Sequence, residues 1–278
     1  MNQFKTLGPR ALVSVLGIPL LIGAILVGKL FLLIIITIAC GVALWEWYGL
    51  AERKGCRPLK GVGLAALVCI VLDFHFFMGK GFLWIVVLEG LSVFTAELFR
   101  EEKNHLVNGS ITIGGTLFLS FLSFYLLLRQ FPVLLNMPYP QGGVLVLMVF
   151  ASVWICDTAA YFVGSALGKH PLALSVSPKK TWEGAWAGFG FALATAVVFE
   201  KFVVTWLHPV DGVVIGILAG TVGQLSDLVE SRFKRDVDVK DSSNLLPGHG
   251  GMLDRFDSLL MIAPIVYLYL CLRFKILG

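Results

Sequence analysis

Seven carboxylates and five cations crowd into the 32 residues from Ser226 to Asp257 of a chain that is otherwise strongly apolar. The acids are Asp227, Glu230, Asp236, Asp238, Asp241, Asp254 and Asp257; the bases are Arg232, Lys234, Arg235, Lys240 and Arg255. Gln224, Asp227, Ser231 and Lys234 follow at spacings of three, four and three, so a helix through them presents all four on one face. The turn Pro247-Gly248-His249-Gly250-Gly251 lets backbone approach a ligand closely, and His249 could bond a phosphate or orient a ligand. Asp254 and Asp257, with Arg255 between them, can address one site. Carboxylates are hard oxygen donors suited to Mg²⁺, which keeps several waters and binds through one or two carboxylates plus substrate phosphates. A second cation is compatible with such chemistry. The plain alternative is a solvated loop, but both ends of the run carry carboxylates into the membrane boundary, where charge is costly.

Two upstream clusters point the same way. In Ser177-Pro178-Lys179-Lys180-Thr181-Trp182-Glu183-Gly184, Pro178 punctuates the chain and Thr181 can cap the next helix, with Glu183 in its first turn. Two lysines at a helix entrance can hold phosphate oxygens, because the helix N-terminus already favours anions. Alone, the stretch reads as a topology signal with a cap; facing an acidic run, it reads as phosphate binding. Asp157 lies four residues before Tyr161 and seven before Gly164, on one helical face. A packing stripe with its acid paired to a lysine is the alternative, yet an Asp inside a span points by default to function.

The elements that must position these groups are membrane helices. The chain is 57% hydrophobic and 14% charged, with mean hydropathy +0.85, against roughly 25% charged for soluble domains. An all-α, polytopic integral membrane protein follows. Nine transmembrane helices are expected, over 11–28, 30–50, 61–79, 81–99, 109–130, 143–168, 183–206, 211–233 and 256–275. Ala185, Gly188 and Ala192 suit close helix packing in lipid. The chain divides into N-terminal transmembrane helices (1–140) and a C-terminal catalytic region (141–278). With the N-terminus inside, sixteen Lys and Arg residues fall on one side and six on the other. The positive-inside rule therefore gives an N-in, C-out topology with the active site at the cytoplasmic boundary. The run after Lys5 and Arg10 lacks a small-residue cleavage site and reads as a retained first span. Five scattered cysteines offer neither metal spacing nor a disulfide framework. A net charge of +4 gives no reason to expect nucleic acid.

The polar run resembles the signature of the phosphatidate cytidylyltransferase (CDP-diacylglycerol synthase) family. That signature runs, loosely, S-x-x-K-R, four residues, K-D, then an H-G-G turn and D-R-x-D. Here it reads Ser231-Arg232-Phe233-Lys234-Arg235, Lys240-Asp241, His249-Gly250-Gly251 and Asp254-Arg255-Phe256-Asp257. Asp157, Ala160-Tyr161, Ser177–Gly184, Arg10 and the Trp45-Glu46 pair also resemble the family. The resemblance implies transfer of CMP from CTP to phosphatidic acid, giving CDP-diacylglycerol and pyrophosphate with Mg²⁺. It also implies nine transmembrane helices, a homodimer and, for a bacterial enzyme, the inner membrane.

On this reading Asp227 and Asp254 hold the metal, with Asp257 or Glu230 as a supporting or alternate ligand. Lys179, Lys180, Lys234, Arg235, Lys240 and Arg255 share the CTP phosphates and the lipid headgroup, with Ser177, His249 and Asp157 lining the substrate site. A secondary transporter is the main rival, because intramembrane acids also mark ion pathways. Against it, charge concentrates at one boundary, and the expected midplane carries little beyond Glu89 and Asp73. The D-G-x-x-A-R string of the CDP-alcohol phosphotransferases is absent.

Overall fold

The computed structural model describes residues 3–245 and 250–276. The chain forms two compact units, one of Met1–Leu127 with Asp236–Phe256, the other of Leu128–Arg235 with Asp257–Gly278. Among the described residues six helices are long and apolar enough to cross a membrane by length and composition. The protein is an all-α, multi-pass membrane protein; the segments expected from hydropathy are largely helical, but 109–130, 211–233 and 256–275 are each interrupted.

In the first unit, α1 (Gln3–Val27) and α2 (Lys29–Arg53) meet at Gly28, whose φ of 68° breaks the helix. Next come α3 (Lys60–Phe76), α4 (Phe82–Leu98) and α5 (His105–Ser120). Asp73 Oδ1 accepts from Gly81 N at 2.8 Å, so this buried acid closes the α3–α4 turn. Helices α2, α3 and α5 are joined by polar contacts, as packing in lipid requires. The Tyr48 hydroxyl donates to Thr112 O at 3.0 Å, and Leu59 N donates to Thr112 Oγ1 at 2.9 Å. A Cβ on Gly63 would collide with the Tyr48 hydroxyl, so glycine sets how closely α3 meets α2.

A 3-10 turn (Phe121–Ser123) leads into α6 (Phe124–Leu134), through which the chain enters the second unit. There α7 (Gln141–Leu167) is followed by an antiparallel hairpin of β1 (Pro171–Ala173) and β2 (Ser177–Thr181), with Pro171 opposite Thr181. Helix α8 (Trp182–Phe202) packs on α7 through small residues: a Cβ on Gly184 would sit 2.6 Å from Ala160 O, and one on Gly188 2.9 Å from Cys156 O. Helix α9 (Pro209–Leu218) packs on α8 in the same way. A π-helical turn (Ala219–Gly223) joins it to α10 (Gln224–Asp236).

The last expected helix is two, α11 (Leu253–Leu260) and α12 (Ile262–Arg273), broken at Met261. The Ser226 hydroxyl satisfies the break, donating to Asp257 O and accepting from Met261 N at 3.3 Å. Buried Asp211 ties α9 to α12, accepting from the Tyr269 hydroxyl at 2.6 Å and Arg273 Nε at 3.1 Å.

Candidate active site

In the second unit the β1–β2 hairpin delivers a lysine to an aspartate. Thr181, in an extended conformation, caps α8 by accepting from Gly184 N at 3.3 Å. Glu183 turns back to accept from Lys169 N and His170 N and pairs with His170 Nδ1 at 2.6 Å, fixing the start of the hairpin. Successive strand side chains point to opposite faces. Adjacent Lys179 and Lys180 therefore separate: Lys179 is exposed, whereas Lys180 Nζ reaches Asp227 Oδ2 at 2.5 Å. Ser177 opens β2 and is half-buried.

Asp227 lies in the first turn of α10, aimed by the π-helical turn before it. Gln224 anchors that turn, its Nε2 donating to Ala185 O at 3.1 Å and Gly220 O at 2.6 Å. Ser231 donates to Asp227 Oδ1 at 3.2 Å, so the face expected from the spacing exists. One turn on, buried Lys234 pairs with buried Glu230 at 2.5 Å. Arg235 Nε donates to Val176 O at 3.2 Å, tying α10 to the hairpin.

Two more carboxylates join this cluster. Asp157 of α7 interacts with the Ser258 side chain and with the charges of Asp227 and Lys180. Asp257 of α11 feels Asp227, Glu230 and Lys234, and its Oδ1 accepts from Ser258 N at 2.7 Å. Asp227 thus links two neighbourhoods of the unit electrostatically, Asp157 with Lys180 and Asp257 with Glu230 and Lys234. Tyr161, expected on the Asp157 face, is 71% exposed.

The first unit carries Asp254 in the first turn of α11. It is buried, and its Oδ2 accepts from Gly251 N at 2.7 Å, Ser242 N at 2.9 Å and Ser242 Oγ at 3.0 Å. Gly250 has φ of 80°, and a Cβ there would lie 2.6 Å from Asp254 Oδ2, so glycine is needed on both counts. Beside this carboxylate lies Glu46 of α2, which accepts from Ser242, Ser243, Met252 and Leu253. Sequence reasoning missed what Glu46 does, although a buried acid near the end of an apolar helix was the available signal. Arg255 and Lys240 are exposed. His249, with Pro247 and Gly248, lies outside the described residues, as does the Arg10 side chain.

Among the described residues no three His, Cys, Asp or Glu side chains form a group that could hold a metal ion by themselves. The donor chemistry nonetheless fits Mg²⁺. That ion takes one or two carboxylates and completes its shell with water and phosphate oxygens, and the carboxylates here are accompanied by lysines suited to those phosphates. The arrangement can bind a polyphosphate, neutralise charge developing on it, and orient a second phosphate against it.

The profile of the cytidylyltransferase family matches residues 9–273. The phosphatidate cytidylyltransferase of Bacillus subtilis is 33% identical over 269 residues, covering 95% of this chain and 97% of that protein. The protein of the same name from Brucella suis biovar 1 is 34% identical over 241 residues, covering 84% and 82%. That of Synechocystis sp. is 29% identical over 289 residues, covering 97% and 98%.

Proposed function

The chain belongs to the cytidylyltransferase family, and on that premise we propose that it transfers CMP from CTP to phosphatidic acid. A phosphate oxygen of the lipid attacks the α-phosphorus of CTP, the bond to the β-phosphate oxygen breaks, and CDP-diacylglycerol and pyrophosphate leave. A phosphate monoester is already an anionic nucleophile, so the protein supplies position and charge rather than a nucleophile of its own. The observation that carries this reading is the Lys180–Asp227 pair, set among Asp157, Glu230, Asp257 and Lys234 within one unit.

Mg²⁺ is the proposed cofactor, with Asp227 and Asp254 as ligands by their places in the motif and Asp257 or Glu230 in support. When bound, it would neutralise phosphate charge and polarise the phosphorus under attack. Lys180 and Lys234 meet phosphate oxygens that compete with their present carboxylate partners. Lys179, Arg235, Lys240 and Arg255 add positive charge for the triphosphate and headgroup, and Ser177, His249 and Asp157 line the substrate site. The catalytic region is 141–278, in a nine-span, N-in, C-out arrangement in a bacterial inner membrane. The acyl chains enter laterally between helices, and the enzyme works as a homodimer.

The test is transfer of labelled CMP from CTP to phosphatidic acid by purified protein in detergent, with Mg²⁺ or with EDTA. Metal-dependent CDP-lipid and pyrophosphate in equal amounts are expected. No product from folded protein in either condition overturns the assignment, and label crossing liposomes without CTP points to transport.

A further inference from the structure

Glu46 is a carboxylate whose acceptor sites are used up by a segment about two hundred positions away in sequence. Its Oε1 accepts from the Ser243 hydroxyl at 2.6 Å and Met252 N at 3.0 Å. Its Oε2 accepts from the Ser242 hydroxyl at 2.9 Å and Leu253 N at 2.8 Å. A carboxylate offers about four lone-pair positions, two per oxygen, and each faces a donor, one of them the Ser242 hydroxyl whose single proton is shared with Asp254. Only 5% of the residue is exposed. Burial of an acid is tolerable when donors replace its water, and these four do so. Glu46 is therefore poorly placed to take a metal or phosphate. It holds the chain.

What it holds is the setting of Asp254. Met252 and Leu253 open α11, so a negative charge there also complements the helix N-terminus. The Ser242 hydroxyl touches both acids, lying 2.9 Å from Glu46 Oε2 and 3.0 Å from Asp254 Oδ2. Ser242 N and Gly251 N complete the cradle of Asp254 Oδ2. A Cβ on Gly251 would collide with both Ser242 Oγ and Glu46 Oε2, so nothing larger than glycine fits between the acids. We propose that Glu46, acting through Ser242 and the first turn of α11, is a positioning residue that fixes the Asp254 carboxylate for its metal.

The inference rests on the reading of Asp254 as a Mg²⁺ ligand. The experiment compares full-length Glu46→Gln, Ser242→Ala, Ser243→Ala and Asp254→Asn in detergent. It reads the Mg²⁺ concentration for half-maximal turnover and, in metal-free protein, amide hydrogen exchange over 242–253. In Glu46→Gln either orientation of the amide sets an N–H against Met252 N–H or Leu253 N–H, which have no freedom to turn away. Exchange at those amides should rise, and the half-saturating Mg²⁺ concentration should rise by about 10- to 100-fold, the usual effect of losing a group that orients a metal ligand. Turnover at saturating Mg²⁺ should change far less.

Ser242→Ala, which cuts the link and leaves three Glu46 donors in place, should shift the Mg²⁺ requirement in the same direction. Because that hydroxyl also meets Asp254 directly, Glu46→Asp, which keeps the charge but draws it back from its donors, carries the test if Glu46→Gln does not fold. Ser243→Ala, which touches only Glu46, should move it least. Faster exchange with an unchanged Mg²⁺ requirement would make Glu46 a loop staple and overturn the proposal. Full activity in Asp254→Asn would instead remove the metal reading beneath it.

Discussion

Lys180 Nζ and Asp227 Oδ2 stand 2.5 Å apart, an ion pair between a short strand and a helix 47 positions on. Their side chains are 30% and 22% exposed, so the pair is partly screened and contributes at most about 1 kcal/mol. A lysine held that lightly can exchange its carboxylate for a phosphate at little cost. On the proposed function the pair is poised for substrate rather than a brace for the fold.

Lys180→Met should therefore cost activity rather than stability. Turnover should fall by about 10²- to 10³-fold, as when one charge-stabilising donor is removed from a transition state. The thermal midpoint in detergent should hardly change. A rise in KM for CTP with kcat intact would make Lys180 a group that binds ground state and transition state alike.

Asp227→Asn and Asp254→Asn should each lose at least about a hundredfold in turnover while remaining folded in membranes. Near-normal activity in either would refute its assignment as a ligand. Lys29→Ala, on the face expected to lie opposite the site, should stay within about twofold of the parent, as surface changes usually do.

Metal removal should be reversible. EDTA should abolish CMP transfer, and excess Mg²⁺ should restore it. If transfer persisted in EDTA, the lysines alone would have to provide the charge neutralisation, and the Mg²⁺ proposal would fall.

Helix packing gives a stability prediction independent of chemistry. A Cβ on Gly216 would lie 2.7 Å from Leu193 Cα, whereas one on Gly190 meets nothing within 4 Å. Gly216→Ala should cost about 1–3 kcal/mol through overpacking of α8 against α9. Gly190→Ala should be neutral or stabilising by up to about 1 kcal/mol. The midpoints of thermal unfolding in detergent decide between them.

Much of this was legible in sequence because it depends on local chemistry. Hydropathy marked the helices, Thr181 announced its cap, and three-and-four spacing put Asp227 and Ser231 on one face. Tertiary features were not legible. The strands β1 and β2 span only three and five residues, and the hairpin owes its start to contacts of Glu183 with Lys169 and His170. The break at Met261 precedes Pro264, which has no N–H to offer the Leu260 carbonyl, a signal the hydropathy reading passed over; its support by Ser226 is what hydropathy cannot pair with it. Glu46 shows the limit most plainly, since its four donors lie about two hundred positions away.

The π-helical turn at Ala219–Gly223 acts as a phase shifter between α9 and α10. An α-helix advances about 100° per residue, and a π turn carries an extra residue within an otherwise α-helical run. Regularising the turn to α-helix at unchanged length would swing everything beyond by about that angle. Asp227 would turn away from Lys180, although no residue of the site had changed. The width of this glycine-containing turn, rather than any charge, thus sets the direction in which Asp227 points.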